Sequence, residues 1–396
     1  MKISTLSSAR LWTIILAVGI CTSCGQRQPK HENNTPIYVG ELATVIVPPQ
    51  EETVPLDSFI TDVEFMKLGK TGDILIGGVD KLWITEQHVI VADRLHSKAI
   101  FVFDREGNAR TVINRLGRGP QEYTSLTDVT LTPDKEKIVV LDNHKKKLLF
   151  YNMNGDFLYD KDMPFHIGYL EYIDEQTIMA LAYGYQKDDP GLASYEQNQH
   201  YVYVLDTLMN ITRSSMTIPS YIKRFGDRVY VNPSNSDTVY RVTKGGNIAP
   251  QYLLDMSKIG GVANFGHEPI EKIREIRKEH NYFPDSYIDG KDFAIFRFVL
   301  PHEKINTETV LYDKHTGRSY AIEGQSSYSL NIYFLQNEYV HEDKFISVVP
   351  AFLFVNDNTP MKDFEKLVAL KEGLTDEDNP VLLFYTLKEP DMPAVD

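Results

Sequence analysis

Cysteine and tryptophan are scarce in this chain, two of each in 396 residues. Both cysteines, Cys21 and Cys24, lie close to the amino terminus. The body beyond them has no thiol and no disulfide, so its stability has to come from packing. Basic residues are also in deficit: 41 Lys and Arg stand against 55 Asp and Glu, a formal charge of −14. That balance excludes a phosphate-backbone binder, which needs cations clustered on a face, and nucleic acid is not an expected partner. Catalytic signatures are missing as well. There is no Gly-x-Ser-x-Gly elbow, no phosphate-cradling Gly-rich loop ending in Lys-Ser/Thr, and no His-Glu-x-x-His helix. The 11 histidines never pair as His-x-His or His-x-x-x-His, so no single element offers two metal ligands. The expectation is no metal, no cofactor and no catalytic residue. Acidic groups such as Asp188-Asp189 and Asp376-Glu377-Asp378 fall in polar loops and read as solvated turns.

Long apolar runs are absent too. The longest, Leu11–Ile20, has ten residues, and a spanning helix needs about 20. It follows Lys2 and Arg10 and precedes Cys21-Thr22-Ser23-Cys24-Gly25. This is a positive start, an apolar stretch and small residues before a cysteine. The arrangement resembles the lipobox of bacterial lipoproteins, with Cys21 where Leu is usual; an ordinary cleaved signal is the alternative. The expectation is a lipoprotein signal peptide over residues 1–23 and acylation of Cys24. Removing that segment leaves 373 residues at a charge of −16. Acyl chains, at about 0.8 kcal/mol per buried CH₂, would hold this acidic body to a membrane without a basic patch. Residues 24–36 are polar and aperiodic, and read as a lipidated flexible tether.

What the chain does have is strand grammar, in a body that is 42% hydrophobic, with 23 Tyr and 19 Phe. His88-Val-Ile-Val-Ala-Asp93 leads through a polar turn into Ala99-Ile-Phe-Val-Phe-Asp104 and Gly107. The same unit returns as Lys137–Asp142 with Leu148–Gly155, so that Gly107 and Gly155 are 48 residues apart. Looser copies follow at Tyr201–Asp206, Val229–Val231 with Asp237–Val242, Thr309–Asp313, and Val381–Leu387, six in all. Short strands repeating every 40 to 50 residues point to a radial array, because a small sheet cannot bury both faces until neighbours stack on it. The expected fold is all-β, a six-bladed β-propeller over residues 37–390 with a short tail at 391–396. A β-sandwich or a pair of small β domains is the competing arrangement. Ring closure is expected from pairing of Ile37–Val47 with Val381–Lys388. Two helical insertions are expected, at Pro269–Glu279 with Ile270, Ile273 and Ile276 in one stripe, and at Met361–Gly373.

After the first unit the chain reads Gly117-Arg118-Gly119-Pro120-Gln121-Glu122-Tyr123. This resembles the Gly-X-Gly-Pro-Gly-Glu-Tyr signature of the six-bladed β-propeller lipoproteins of Bacteroidota type, a domain family of unknown function with NHL-like propeller shape. Leu56–Leu68, Asp237–Tyr240 and Asp378–Leu382 are similar to further landmarks of that family, and Gln121 departs from it. The resemblance implies a cell-envelope protein. Gly117, Gly119, Pro120, Glu122 and Tyr123 are expected to brace adjacent blades, with Arg118 as a candidate ligand contact.

The segment Tyr183–Tyr203 adds Tyr183, Tyr185 and Tyr195 among Gln, Asn and Asp, a combination of flat apolar faces and hydrogen-bonding groups suited to sugars or peptides. Ordinary loop packing is the competing reading of these tyrosines. Function is expected to be non-enzymatic: a membrane-tethered monomer binding a glycan, a peptide or an envelope protein. The alternative is a propeller enzyme, a lyase, lactonase or glycan-cleaving hydrolase, acting at the central channel. The expected location is the outer membrane of a Gram-negative envelope. The periplasmic face is favoured over the cell surface, because Gly25–Lys30 lacks the acidic residues of surface-exported lipoproteins.

Overall fold

The computed structural model describes residues 42–49, 53–183, 200–215, 219–301, 306–323, 339–356, 371 and 373–389. Its strands form six sheets of four or five strands, each built on an antiparallel meander, to which amino-terminal strands add at the outer edge of three. Blade I comprises Lys81–Ile84, Val89–Asp93, Ala99–Phe103 and Ala109–Ile113. Blade II comprises Asp128–Leu131, Lys137–Asp142, Lys147–Asn152 and Phe157–Asp162. Blade III runs from Tyr169–Asp174 to Ile211–Ser215, blade IV from Pro219–Phe225 to Asn247–Asp255, and blade V from Tyr282–Asp289 to Ser319–Ile322. Blade VI holds Tyr339–His341, Lys344–Val349, Val381–Leu387 and, brought from the other end of the chain, Ile60–Lys67. The fold is therefore mostly β, a six-bladed propeller with two short helices.

The middle strands explain why the sequence shows continuous apolar runs. Val89–Asp93 and Ala99–Phe103 are buried at every position. Their alternate side chains serve two different interfaces. Val139, Leu141, Leu148 and Phe150 of blade II pack toward blade III. Ile138, Val140, Leu149 and Tyr151 of the same two strands pack toward blade I with Ile90, Ile100 and Val102. Separate cores thus fill the gaps I–II, II–III, III–IV and VI–I, while one continuous core joins blades IV, V and VI, and a lone blade would leave both of its faces in water.

Chain closure differs from the expected pairing. Val381–Leu387 pairs antiparallel with Ile60–Lys67, in register from Val381 opposite Lys67 to Tyr385 opposite Val63. Ala43–Ile46 instead adds in parallel to the outer strand of blade IV, Ala43 opposite Tyr252. Thr53–Val54 does the same for blade V, opposite Ala321 and Ile322. The amino-terminal segment thus edges three blades in succession. The expectation failed because strand propensity shows that a segment pairs, and the partner is set by where the ring brings an open edge.

The turn between third and fourth strands is nearly the same object in several blades. In blade I the Asp104 carboxylate accepts from the Glu106 and Asn108 backbone amides at 3.0 and 2.8 Å. In blade III, Asp206 accepts from Leu208 and Asn210 at 2.8 and 2.9 Å. Gly107 sits at φ +85° in this turn, and Met209 takes the equivalent left-handed position at φ +66°. The helix Ile270–Glu279 lies between blades IV and V, with Ile273 and Ile276 half-buried and Ile270 exposed. The other described helix, Ala351–Asn356, lies in blade VI; of the expected Met361–Gly373 only Lys371 and Gly373 are described.

Candidate binding site in the central channel

The innermost strands surround an axial cavity of about 1710 Å³. Its wall is built from Lys81–Ile84 of blade I, Tyr169 and Glu171–Ile173 of blade III, Tyr221–Phe225 of blade IV and Tyr339–His341 of blade VI, with turns of blades II and V completing the ring. Eight Lys and Arg and seven Asp and Glu line it, a near balance inside a protein of charge −14.

Several wall charges are committed across blade boundaries, to one another or to buried carboxylates behind the wall. Asp128 at the start of blade II is fully buried and accepts from Lys81 of blade I at 2.9 Å and from the Leu170 amide of blade III at 2.9 Å. Arg94 lies 3.5 Å from both Asp80 and Asp128, and donates to the Thr127 carbonyl at 2.7 Å. Burial pushes the Arg94 guanidinium down, but the Asp128 and Asp80 charges outweigh it and hold it above its ordinary value. Glu171 of blade III takes Arg224 of blade IV at 2.8 Å and the Thr130 hydroxyl of blade II at 3.0 Å. One network therefore joins four blades around the channel, and it fixes the wall geometry in advance of any ligand.

A second anchor joins blades IV and V. Asp289 is fully buried and accepts from the Tyr230 and Tyr252 hydroxyls, each at 2.5 Å, and from Lys314 at 2.6 Å. Arg228 on the channel wall closes the group by pairing with the same carboxylate. Burial pulls the Lys314 ammonium below its usual range, against the opposing pull of Asp289. Burial and then the Asp289 charge raise the Tyr252 hydroxyl well above its ordinary value.

Aromatic rings supply the remaining surface. Tyr169 and Tyr221 meet edge to face, with ring centres 6.0 Å apart and planes at 82°. The Arg94 guanidinium lies 5.7 Å from the Tyr169 ring centre, and Lys223 lies over Tyr287 at 4.8 Å. Tyr221 is 46% exposed, whereas Tyr172 and Phe225 on the same wall are buried.

Those residues singled out from the sequence that the structure describes lie elsewhere. Arg118 is exposed and outside the channel lining. Tyr183 is the last residue of a blade III strand, and Tyr185, Tyr195 and Cys24 lie outside the described residues. The Gly117–Tyr123 loop spans blades I and II. The Tyr123 hydroxyl donates to the Lys98 and Ile113 carbonyls at 2.7 and 3.1 Å, and burial pushes it up to about 12. Lys145 donates to the Gly119 and Glu122 carbonyls at 2.8 and 2.7 Å, and the Tyr151 hydroxyl to that of Gln121 at 3.0 Å. Gly117 has no left-handed φ, and a Cβ there would stand 2.1 Å from the Glu122 carboxylate, displacing it from its bond with the Gly119 amide.

Sequence reasoning missed the channel residues. The available signal was a charge recurring at the repeat period, since Lys81 and Asp128 are 47 residues apart and Glu171 and Arg224 are 53 apart. Among the described residues no group of three or more His, Cys, Asp or Glu is placed to hold a metal ion.

A six-bladed ring with a preformed polar channel places the chain among the propeller proteins. Within them it belongs to the DUF4934 family, a domain of unknown function, which matches residues 44–386. A Bacteroides fragilis protein, described provisionally as exported, shares the fold at a TM-score of 0.65 and 20% identity, covering 88% of this chain and 100% of its own. A Bacteroides vulgatus member of the DUF4221 family aligns at a TM-score of 0.47 and 12% identity, covering 86% and 99%. Virginiamycin B lyase from Staphylococcus aureus aligns at 0.38 and 11%, covering 72% and 82%, too distant to bear on chemistry. No curated protein matches the chain.

Proposed function

We propose that the chain is a lipid-anchored propeller of the cell envelope that binds its ligand in the central channel without transforming it. The observation that carries this reading is the wall network from Lys81 through Asp128 and Glu171 to Arg224. It holds four blades in fixed relation around a cavity of about 1710 Å³. That volume exceeds the ~300–1,000 Å³ of ordinary small-molecule pockets, so an extended oligomer, a glycan or a peptide, matches it better than a metabolite. The amino-terminal lipobox pattern supports the anchor at Cys24, and the provisional description of the Bacteroides fragilis relative as exported agrees with an envelope address.

The test combines ligand screening with labelling. Thermal-shift screening of the intact lipoprotein in detergent against glycan and peptide panels should yield a stabilising ligand, recovered unchanged after incubation. Metabolic labelling with an alkyne fatty acid should mark the wild type and not Cys24→Ala. Turnover of the bound ligand, or equal labelling of both proteins, would refute the corresponding half. Shaving of intact cells with protease should spare a protein held on the periplasmic face.

A further inference from the structure

We infer that the channel corner made by Tyr169 and Tyr221 is a subsite for an acidic saccharide, a sugar ring bearing a carboxylate. The inference rests on the binding role proposed above and names the ligand class. Tyr221 is the aromatic residue of the channel wall left 46% exposed, while Phe225, four positions along the same strand, is 1% exposed. Tyr169 stands against it at 82°, so the two rings form a corner with one face and one edge at right angles. Such a corner matches a pyranose ring, whose axial C–H groups stack on an aromatic face while its hydroxyls project sideways. A flat peptide unit gains less from the perpendicular partner.

The charge around this corner selects the sign of the ligand. Lys81, Arg94, Lys223 and Arg224 line the channel here against Asp80 and Glu171, and the buried Asp128 stands behind them. Four cations thus meet three carboxylates, a surplus of one positive charge in a protein whose formal charge is −14. The Lys223 ammonium is already fixed, donating to the Asp285 carbonyl at 3.0 Å and lying over the Tyr287 ring. A cation held in place loses little freedom on meeting a carboxylate, and low-dielectric channel walls strengthen the attraction. At the turns forming the hairpin end of the channel the sign reverses, with Glu86, Asp134, Glu136, Asp227 and Glu342 against Arg105, Lys135 and Lys291. A carboxylate is therefore favoured at the Tyr169–Tyr221 corner over that rim.

Calorimetry on the intact lipoprotein in detergent, with oligogalacturonate, a neutral oligosaccharide of equal length and oligoglutamate as probes, tests this. Oligogalacturonate should bind with affinity that falls as salt rises. Tyr221→Ala should weaken it about tenfold or more at unchanged melting temperature, and Lys223→Gln should flatten the salt dependence. Equal affinity for the neutral oligosaccharide would overturn the carboxylate assignment. Binding of oligoglutamate alone would overturn the saccharide assignment while leaving the channel as a binding site. Oligogalacturonate binding lost in Arg118→Ala and intact in Tyr221→Ala would move the site off the channel and refute both readings. No binding of oligogalacturonate up to ~5 mM would overturn this inference by itself.

Discussion

Replacing Asp142 by Asn tests how the blades are held, because this carboxylate is a fully buried clamp between a loop and a hairpin. It ends the second strand of blade II and accepts from the Thr124 amide at 2.6 Å, the Thr124 hydroxyl at 2.9 Å, the Ser125 hydroxyl at 2.9 Å and the Lys145 amide at 3.2 Å. Burial raises its pKa, but these donors together outweigh burial and hold it below the ordinary carboxylate value of 3.8. The amide of Asn keeps one acceptor and turns a donor toward groups that are themselves donors. Hydrogen bonds to a buried charge contribute about 1.5–3 kcal/mol each, and Asn preserves some of them, so the expected net loss is about 3 kcal/mol. With an unfolding entropy of ~2.1 cal/mol/K per residue over roughly 340 residues, that is a fall of about 4 °C in Tm.

The pH dependence follows from the depressed folded-state value. The unfolded chain binds the proton more readily, so the stabilisation is fully present above the unfolded carboxylate range and is lost as pH falls through the folded pKa, below 3.8. Differential scanning calorimetry of wild type and Asp142→Asn should therefore show a gap at pH 7 that narrows toward pH 3. A gap under 1 °C at pH 7, or one that widens in acid, would refute the reasoning.

Gly107→Ala should be severe, because a Cβ there would stand 2.2 Å from the Lys67 carbonyl at φ +85°. A loss of at least ~2 kcal/mol in urea unfolding is expected, against little change for the open Gly226→Ala apart from its own left-handed φ cost of about 1 kcal/mol. Tyr123→Phe removes two carbonyl contacts and should cost about 1–2 kcal/mol, while the exposed Arg118→Ala should stay within about 0.5 kcal/mol by the same assay. Deleting residues through 55 strips the added strands from blades IV and V, and should lower Tm while leaving a folded ring by circular dichroism. Deleting through 67 also removes the partner of Val381–Leu387 and should yield aggregated protein.

The sequence by itself determined the repeat. Runs such as Val89–Asp93 and Ala99–Phe103 are apolar at nearly every position because both faces of a middle strand are covered, and the polar turns between runs mark the hairpins. Six such units, their spacing and the left-handed turn at Gly107 are local properties of the chain, and local chemistry is what a sequence displays. Tyr123, which bonds the Lys98 and Ile113 carbonyls, likewise stands in a short contiguous motif that the sequence displays.

Tertiary structure alone decided how distant segments meet. Which strand closes the ring was settled by the open edge that blade VI presents to Ile60–Lys67, and Ala43–Ile46 was drawn instead to blade IV. The channel wall depended on the same long-range step. Lys81, Asp128, Glu171 and Arg224 are each unremarkable in their own strands, and they become one network only when four blades turn their innermost edges to a common axis. A charge shows its type in the sequence, but its partner and its burial are set by the ring.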